Sequence, residues 1–136
     1  MVKQIVRDIF FLGQKSVPAA KDDRSIGQDL RDTLAANRNR CVGMAANMIG
    51  VSKRIIIVSI GPVDVVMYNP VITKKSDEYE PFEGCLSLDG VRKAKRYKNI
   101  EVEYRDESWR LVRQKFSGFI AQIVQHECDH LDGIVI

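Results

Sequence analysis

At 136 residues and 15.4 kDa, the chain suits one domain, 1–136, able to bury about two-thirds of the surface its unfolded form exposes. Hydrophobic residues make up 45% and charged residues 29%, which excludes a disordered chain, and no apolar run approaches the ~20 residues of a membrane span. The net charge of +3 is too small to call for specific nucleic acid as a partner.

In chain order, residues 1–21 read as an extended lead-in, with Pro18 barring a helix there. From Asp22 to about Asn39 the pattern turns helical, because Ile26, Leu30 and Leu34 recur every four residues. Asp22 and Asp23 suit the start of that helix and Arg38 and Arg40 its end. Cys41 to Gly50 is small, apolar and bounded by glycine, more like a segment lying against a ligand than a regular strand. Arg54–Ile60 and Asp64–Ile72 are β-branched runs around Gly61-Pro62 and predict a hairpin. Asn69-Pro70 restricts the second arm to an edge or a bend, and Lys74 to Pro81 reads as polar loop. Arg92 to Lys98 is a basic run with one aromatic residue, read as a solvated strand or loop edge. Residues 99–105 alternate as a half-buried strand, and Trp109 to Phe116 returns as its hairpin arm. A helix follows, and Ile134-Val135-Ile136 is expected to form a short last strand. The fold class is α+β: antiparallel strands around a late helix, with an N-terminal covering helix.

That late helix holds Gln125-His126-Glu127-Cys128-Asp129-His130 and both histidines of the chain. Residues four apart share one helical face, so His126 and His130 can offer two imidazoles to a single metal ion. Glu127 sits beside that face, where it can take a proton from water activated by the ion. Phe119, Ile120, Ile123, Val124 and Leu131 make an apolar stripe continuous with the histidines, and Gly133 is the stop signal. Two histidines leave such an ion one protein ligand short.

Three cysteines, Cys41, Cys85 and Cys128, are too few and of the wrong parity for a disulfide framework, and predict reduced thiols. The start Met1-Val2-Lys3-Gln4-Ile5 lacks the features of a secretory signal, so a cytoplasmic protein is expected. Cys128 lies about 200° around the helix from His126 and faces away. Cys85, in Glu83-Gly84-Cys85-Leu86-Ser87, is the best candidate for the third ligand, with Cys41 left open by spacing alone.

Three segments together resemble the peptide deformylases. Gln125, His126, Glu127, Asp129, His130, Leu131 and Gly133 complete the family's Q-H-E-x-D-H-L-x-G motif, and Glu83 to Ser87 complete its E-G-C-L-S motif. Cys41 to Gly50 matches G-x-G-x-A-A-x-Q-x-G in part, with Cys41 at the first glycine and Met48 at the glutamine. Asn69-Pro70, Arg92 and Arg96 are also similar to the family. With Ile136 the last residue given, the family's C-terminal helix or added strand is expected to be missing.

The resemblance makes Cys85 the third ligand beside His126 and His130, and Glu127 the general acid–base. It implies removal of the formyl group from the N-terminal formyl-methionine of new polypeptides. The divalent ion it implies is Fe(II) in the cell, with zinc, nickel or cobalt as other occupants. Its partners are N-formyl-methionyl nascent peptides and the ribosome. The oxyanion donors it implies are the backbone N–H of Leu86 and the motif-one glutamine, whose place Met48 takes without a donor. Reduced activity is therefore expected, at a cost of ~10²–10³ in kcat. Asn47 carries an amide, but adjacent extended residues point to opposite sides, so rescue by it is not expected. The methionine pocket is expected from Val42, Gly43, Met44, Phe119 and Ile123, with polar Gln122 on the same face. Glu83, Gly84 and Arg92 complete the substrate-binding set, Glu83 as a brace against Arg96. A deformylase-like binding or regulatory protein is the alternative, favoured by Met48 and opposed by the intact Glu127.

Overall fold

The structure is a computed structural model and describes residues 1–85 and 88–134. A five-stranded antiparallel sheet, in the order β1-β2-β3-β6-β7, forms the frame. Its strands are β1 (Gly43–Ala45), β2 (Ile55–Ile60), β3 (Val63–Tyr79), β6 (Arg96–Arg105) and β7 (Leu111–Ser117). A separate hairpin pairs β4 (Phe82–Cys85) with β5 (Leu88–Lys93). Among the described residues three α-helices accompany them: the short α1 (Ile9–Leu12), α2 (Arg24–Ala36) and α3 (Gly118–Leu131). Among the described residues no helix is long and apolar enough to cross a membrane.

Strand β3 owes its length to two partners. Its first part, to Tyr68, pairs with β2, and from Tyr68 onward it pairs with β6 through shifts of register. The handover falls at Asn69-Pro70. Proline donates nothing to a ladder, and Asn69 takes the left-handed backbone region at φ 54°. The Asn69 side chain accepts the Ala19 N–H at 2.7 Å and donates to the Ala19 carbonyl at 2.9 Å, tying the lead-in to the bend. The predicted bend is present, while the loop expected over Lys74 to Pro81 is strand as far as Tyr79. The β6 strand supplies its hydrogen bonds, and Lys75 lies over the Tyr97 ring at 4.8 Å.

Other boundaries move for similar reasons. The lead-in contains α1, capped by the Asp8 carboxylate accepting the Phe10 N–H at 3.0 Å. The covering helix starts later than Asp22, after a 3-10 turn over Lys21–Asp23. Cys41 to Gly50 is regular in two parts, the strand β1 and a 3-10 turn over Ala46–Ile49 that ends on left-handed Gly50. β1 exists because β2 offers it an edge, pairing Gly43 with Val58 and Ala45 with Ile56. The last strand expected at Ile134-Val135-Ile136 falls partly on Val135 and Ile136, outside the described residues.

Helix α3 packs on β6, β2 and β1, and α2 packs on β2, β1 and β3. Leu30 and Leu34 of α2, Ile55–Val58 of β2 and Val124 and Leu131 of α3 are fully buried in one core. At about 25 cal/mol per Å² of apolar surface removed from water, this burial is the main force holding α3 on the sheet. Gln125 adds direction: its Nε2 donates to the Tyr97 carbonyl at 2.7 Å and its Oε1 accepts the Tyr97 N–H at 2.8 Å. One side chain thus serves β6 as a strand partner and fixes how α3 lies against it.

Candidate active site

The face of α3 opposite its core contacts forms one wall of a cleft of about 510 Å³. The hairpin end Phe82, Glu83, Gly84 and Cys85 forms the facing wall, and Cys41, Val42, Gly43 and Met48 close the side. The two walls come close only because Gly43 has no side chain. A Cβ there would lie 2.6 Å from Ile123 Cγ2 and 3.1 Å from Glu127 Oε2.

Within the cleft the ligand atoms of Cys85, His126 and His130 lie within 4.8 Å of one another. His126 Nε2 and His130 Nε2 face each other at 3.0 Å. Burial works against charge on His126, but hydrogen bonds with Cys85 and Glu83 outweigh it and push its pKa up to about 10. Burial, with His126 and Arg96 nearby, pushes His130 down to about 3. The two Nε2 atoms are within hydrogen-bond distance of each other, while buried His130 Nδ1 has no partner among the described residues. A thiol and two imidazole nitrogens converging on one point inside a buried cleft fit a divalent cation well.

Around that triad lies a bracing network. Glu83 Oε1 is 2.8 Å from His126 Nδ1 and accepts from Arg96 Nη2 at 2.7 Å. Gln122 Nε2 donates to Glu83 Oε2 at 2.9 Å, and the Tyr79 hydroxyl donates to Gln122 Oε1 at 3.2 Å. Arg96 is 3% exposed and also bonds Asp129 Oδ2 at 2.6 Å. Arg96 therefore departs from the solvated reading of the basic run, because two carboxylates neutralise it inside the protein. Burial works to raise the Glu83 pKa, but the bonds from His126 and Arg96 overcome it and hold it at about 2.

Glu127 is the other buried acid of the cleft, 5% exposed, and its Oε1 has no hydrogen-bond partner. Burial pushes its pKa up to about 7, against the attraction of His126. A carboxyl poised near neutrality beside the triad can both accept and return a proton.

The predicted site residues divide as follows. Cys85, His126, His130, Glu127, Met48, Val42, Gly43, Glu83, Gly84, Phe119 and Ile123 all line the cleft or its floor. Met44 does not: strand alternation buries it completely in the core. Arg92 does not either, lying on β5 along a separate groove with Gln125 and Asp129. Glu83 is committed to Arg96, His126 and Gln122 rather than open to a substrate. Leu86 lies outside the described residues. Met48 is 1% exposed, and its sulfur accepts the Ala45 N–H at 3.4 Å. Asn47 donates its amide to the His130 carbonyl at 2.8 Å, so it is not aimed into the cleft. Sequence reasoning left out Arg7 and Arg40 on the cleft wall, whose positions no local pattern signals.

Paired imidazoles and a thiol facing a buried, protonatable carboxyl, on an antiparallel sheet with one late helix, define a metal-dependent hydrolase. A family model described as polypeptide deformylase matches residues 4–136, and the chain belongs to that family. The peptide deformylase of Clostridium beijerinckii is 57% identical over 136 residues, the full length of both chains. Peptide deformylase 2 of Clostridium acetobutylicum is 38% identical over 128 residues, 91% of this chain and 85% of its own. The class I type b peptide deformylase of Acinetobacter baumannii, solved bound to Met-Ala-Ser, superposes with a TM-score of 0.89 at 31% identity. That match covers 99% of this chain and 97% of the other. The Thermotoga maritima peptide deformylase superposes at 0.88 with 28% identity, covering 99% and 95%. The chain is thus an enzyme of the peptide deformylase type, whose reaction takes the formyl group from an N-terminal methionine with the help of a divalent metal ion.

Proposed function

We propose that the chain deformylates nascent N-formyl-methionyl polypeptides slowly, in the cytoplasm and near the ribosome, with Fe(II) as its cellular ion. Cys85, His126 and His130 would hold the ion, and zinc, nickel or cobalt would fit the same donors. When bound, the ion supplies Lewis acidity toward the formyl carbonyl and water, whose pKa it lowers toward about 7. Glu127 takes the proton of the attacking water and returns it to the leaving amine. The methionine side chain rests against Val42, Gly43, Phe119 and Ile123, and the Leu86 N–H donates to the oxyanion. The observation that carries this reading is the partnerless, buried Glu127 Oε1 beside the converging thiol and imidazoles.

Slow turnover follows from the side wall. Where the family's glutamine would donate, Met48 presents a thioether that already accepts from Ala45, and the Asn47 amide is spent on His130. The missing donor costs ~10²–10³ in kcat. Formate release from formyl-Met-Ala-Ser, measured anaerobically with Fe(II), tests both parts. Met48→Gln is expected to raise kcat at least tenfold. A parent enzyme as fast as its glutamine variant would contradict the slow-turnover reading.

A further inference from the structure

We propose that the outer wall of the cleft selects peptides with an acidic residue two places beyond the formylated methionine, and that Arg40 is the specificity-determining side chain. This rests on the deformylase reading and adds a substrate preference to it. Among the described lining residues the acids are Glu83 and Glu127, only 7% and 5% exposed and lying at the floor. The exposed charged residues of the same lining are Arg7 and Arg40. Among the described residues Arg40 hydrogen-bonds only through its backbone N–H, to the Asn37 carbonyl at 2.9 Å. Its guanidinium is thus available to a ligand and sits next to cleft-lining Cys41.

The reacting formyl group must reach Glu127, and an extended peptide advances about 3.3 Å per residue. A side chain two residues beyond the methionine therefore lies about 10 Å from the formyl group, about three steps out along the cleft. Phe82 and Phe119, 68% and 63% exposed, flank the outer wall with apolar surface. A carboxylate meeting a guanidinium gains from bidentate geometry, whereas an ammonium is repelled, so the wall discriminates by sign of charge.

The test compares formyl-Met-Ala-Glu-amide with formyl-Met-Ala-Lys-amide, the amide removing the terminal carboxylate as a competitor. At about 20 mM salt, kcat/KM is expected to favour the glutamate peptide about fivefold, and the ratio to shrink toward one at about 0.5 M salt. Arg40→Glu is expected to invert the ratio, while Lys75→Glu, the same charge change on the separate groove, leaves it in place. A ratio near one in the parent, or one that Arg40→Glu does not move, would overturn the proposal. If no peptide releases formate, the deformylase reading itself fails. The same two peptides carrying a fluorophore then report the preference by anisotropy, and equal affinities overturn it.

Discussion

Glu83 Oε1 lies 2.8 Å from His126 Nδ1, and Arg96 holds the same carboxylate at 2.7 Å. The carboxylate therefore fixes a proton on Nδ1 and turns Nε2 toward His130 and Cys85. Glu83→Gln keeps the shape but offers one amide oxygen in place of two charged ones. It is expected to weaken divalent metal affinity by about 10–100-fold, measured by competition with a chelator. Unchanged affinity would mean that His126 is positioned by packing alone.

The same pair makes stability depend on pH in a defined window. In the metal-free protein the folded-state pKa of Glu83 is about 2, against an ordinary 4.5. Its stabilising contribution is fully present above about pH 4.5 and is lost as pH falls toward about 2. Urea unfolding of the parent and Glu83→Gln from pH 6 down to 2 should show a stability gap that narrows below 4.5. A gap of constant size would contradict the assignment.

Gly43→Ala places a methyl group against Ile123 and Glu127. The overpacking is expected to cost about 1–3 kcal/mol, read by urea unfolding, and to lower formate release by displacing Glu127. A variant as stable and as active as the parent would mean that the side wall and α3 separate freely.

Gln125→Ala removes both bonds to Tyr97. Leaving the Tyr97 N–H without its acceptor is expected to cost about 1–3 kcal/mol and to speed its hydrogen exchange relative to its β6 neighbours. Unchanged exchange at Tyr97 would show that the clamp is dispensable.

What the sequence discloses and what it hides follow from the range of the interactions. The four-residue spacing of His126 and His130 is local, and so is the bend at Asn69-Pro70; both are legible. The strand from Lys74 to Tyr79 is not, since its polar residues become strand only when β6, 17 to 27 residues further along the chain, pairs with them. Cys41–Gly50 likewise takes its strand from β2. Arg96 looks solvated as part of a basic run, while the resemblance pairs it with Glu83; that brace is present, and with Asp129 from a further element it holds Arg96 buried. Met44 shows the converse error: a residue in the right segment points to the wrong side of its strand.

The most direct measurement pairs metal content with formate release for the parent and Glu127→Ala. We expect one equivalent of divalent ion in both proteins, and formate from formyl-Met-Ala-Ser only in the parent. Turnover by Glu127→Ala at the parent's rate, or a parent protein that binds no ion while Cys85, His126 and His130 are intact, would contradict the account.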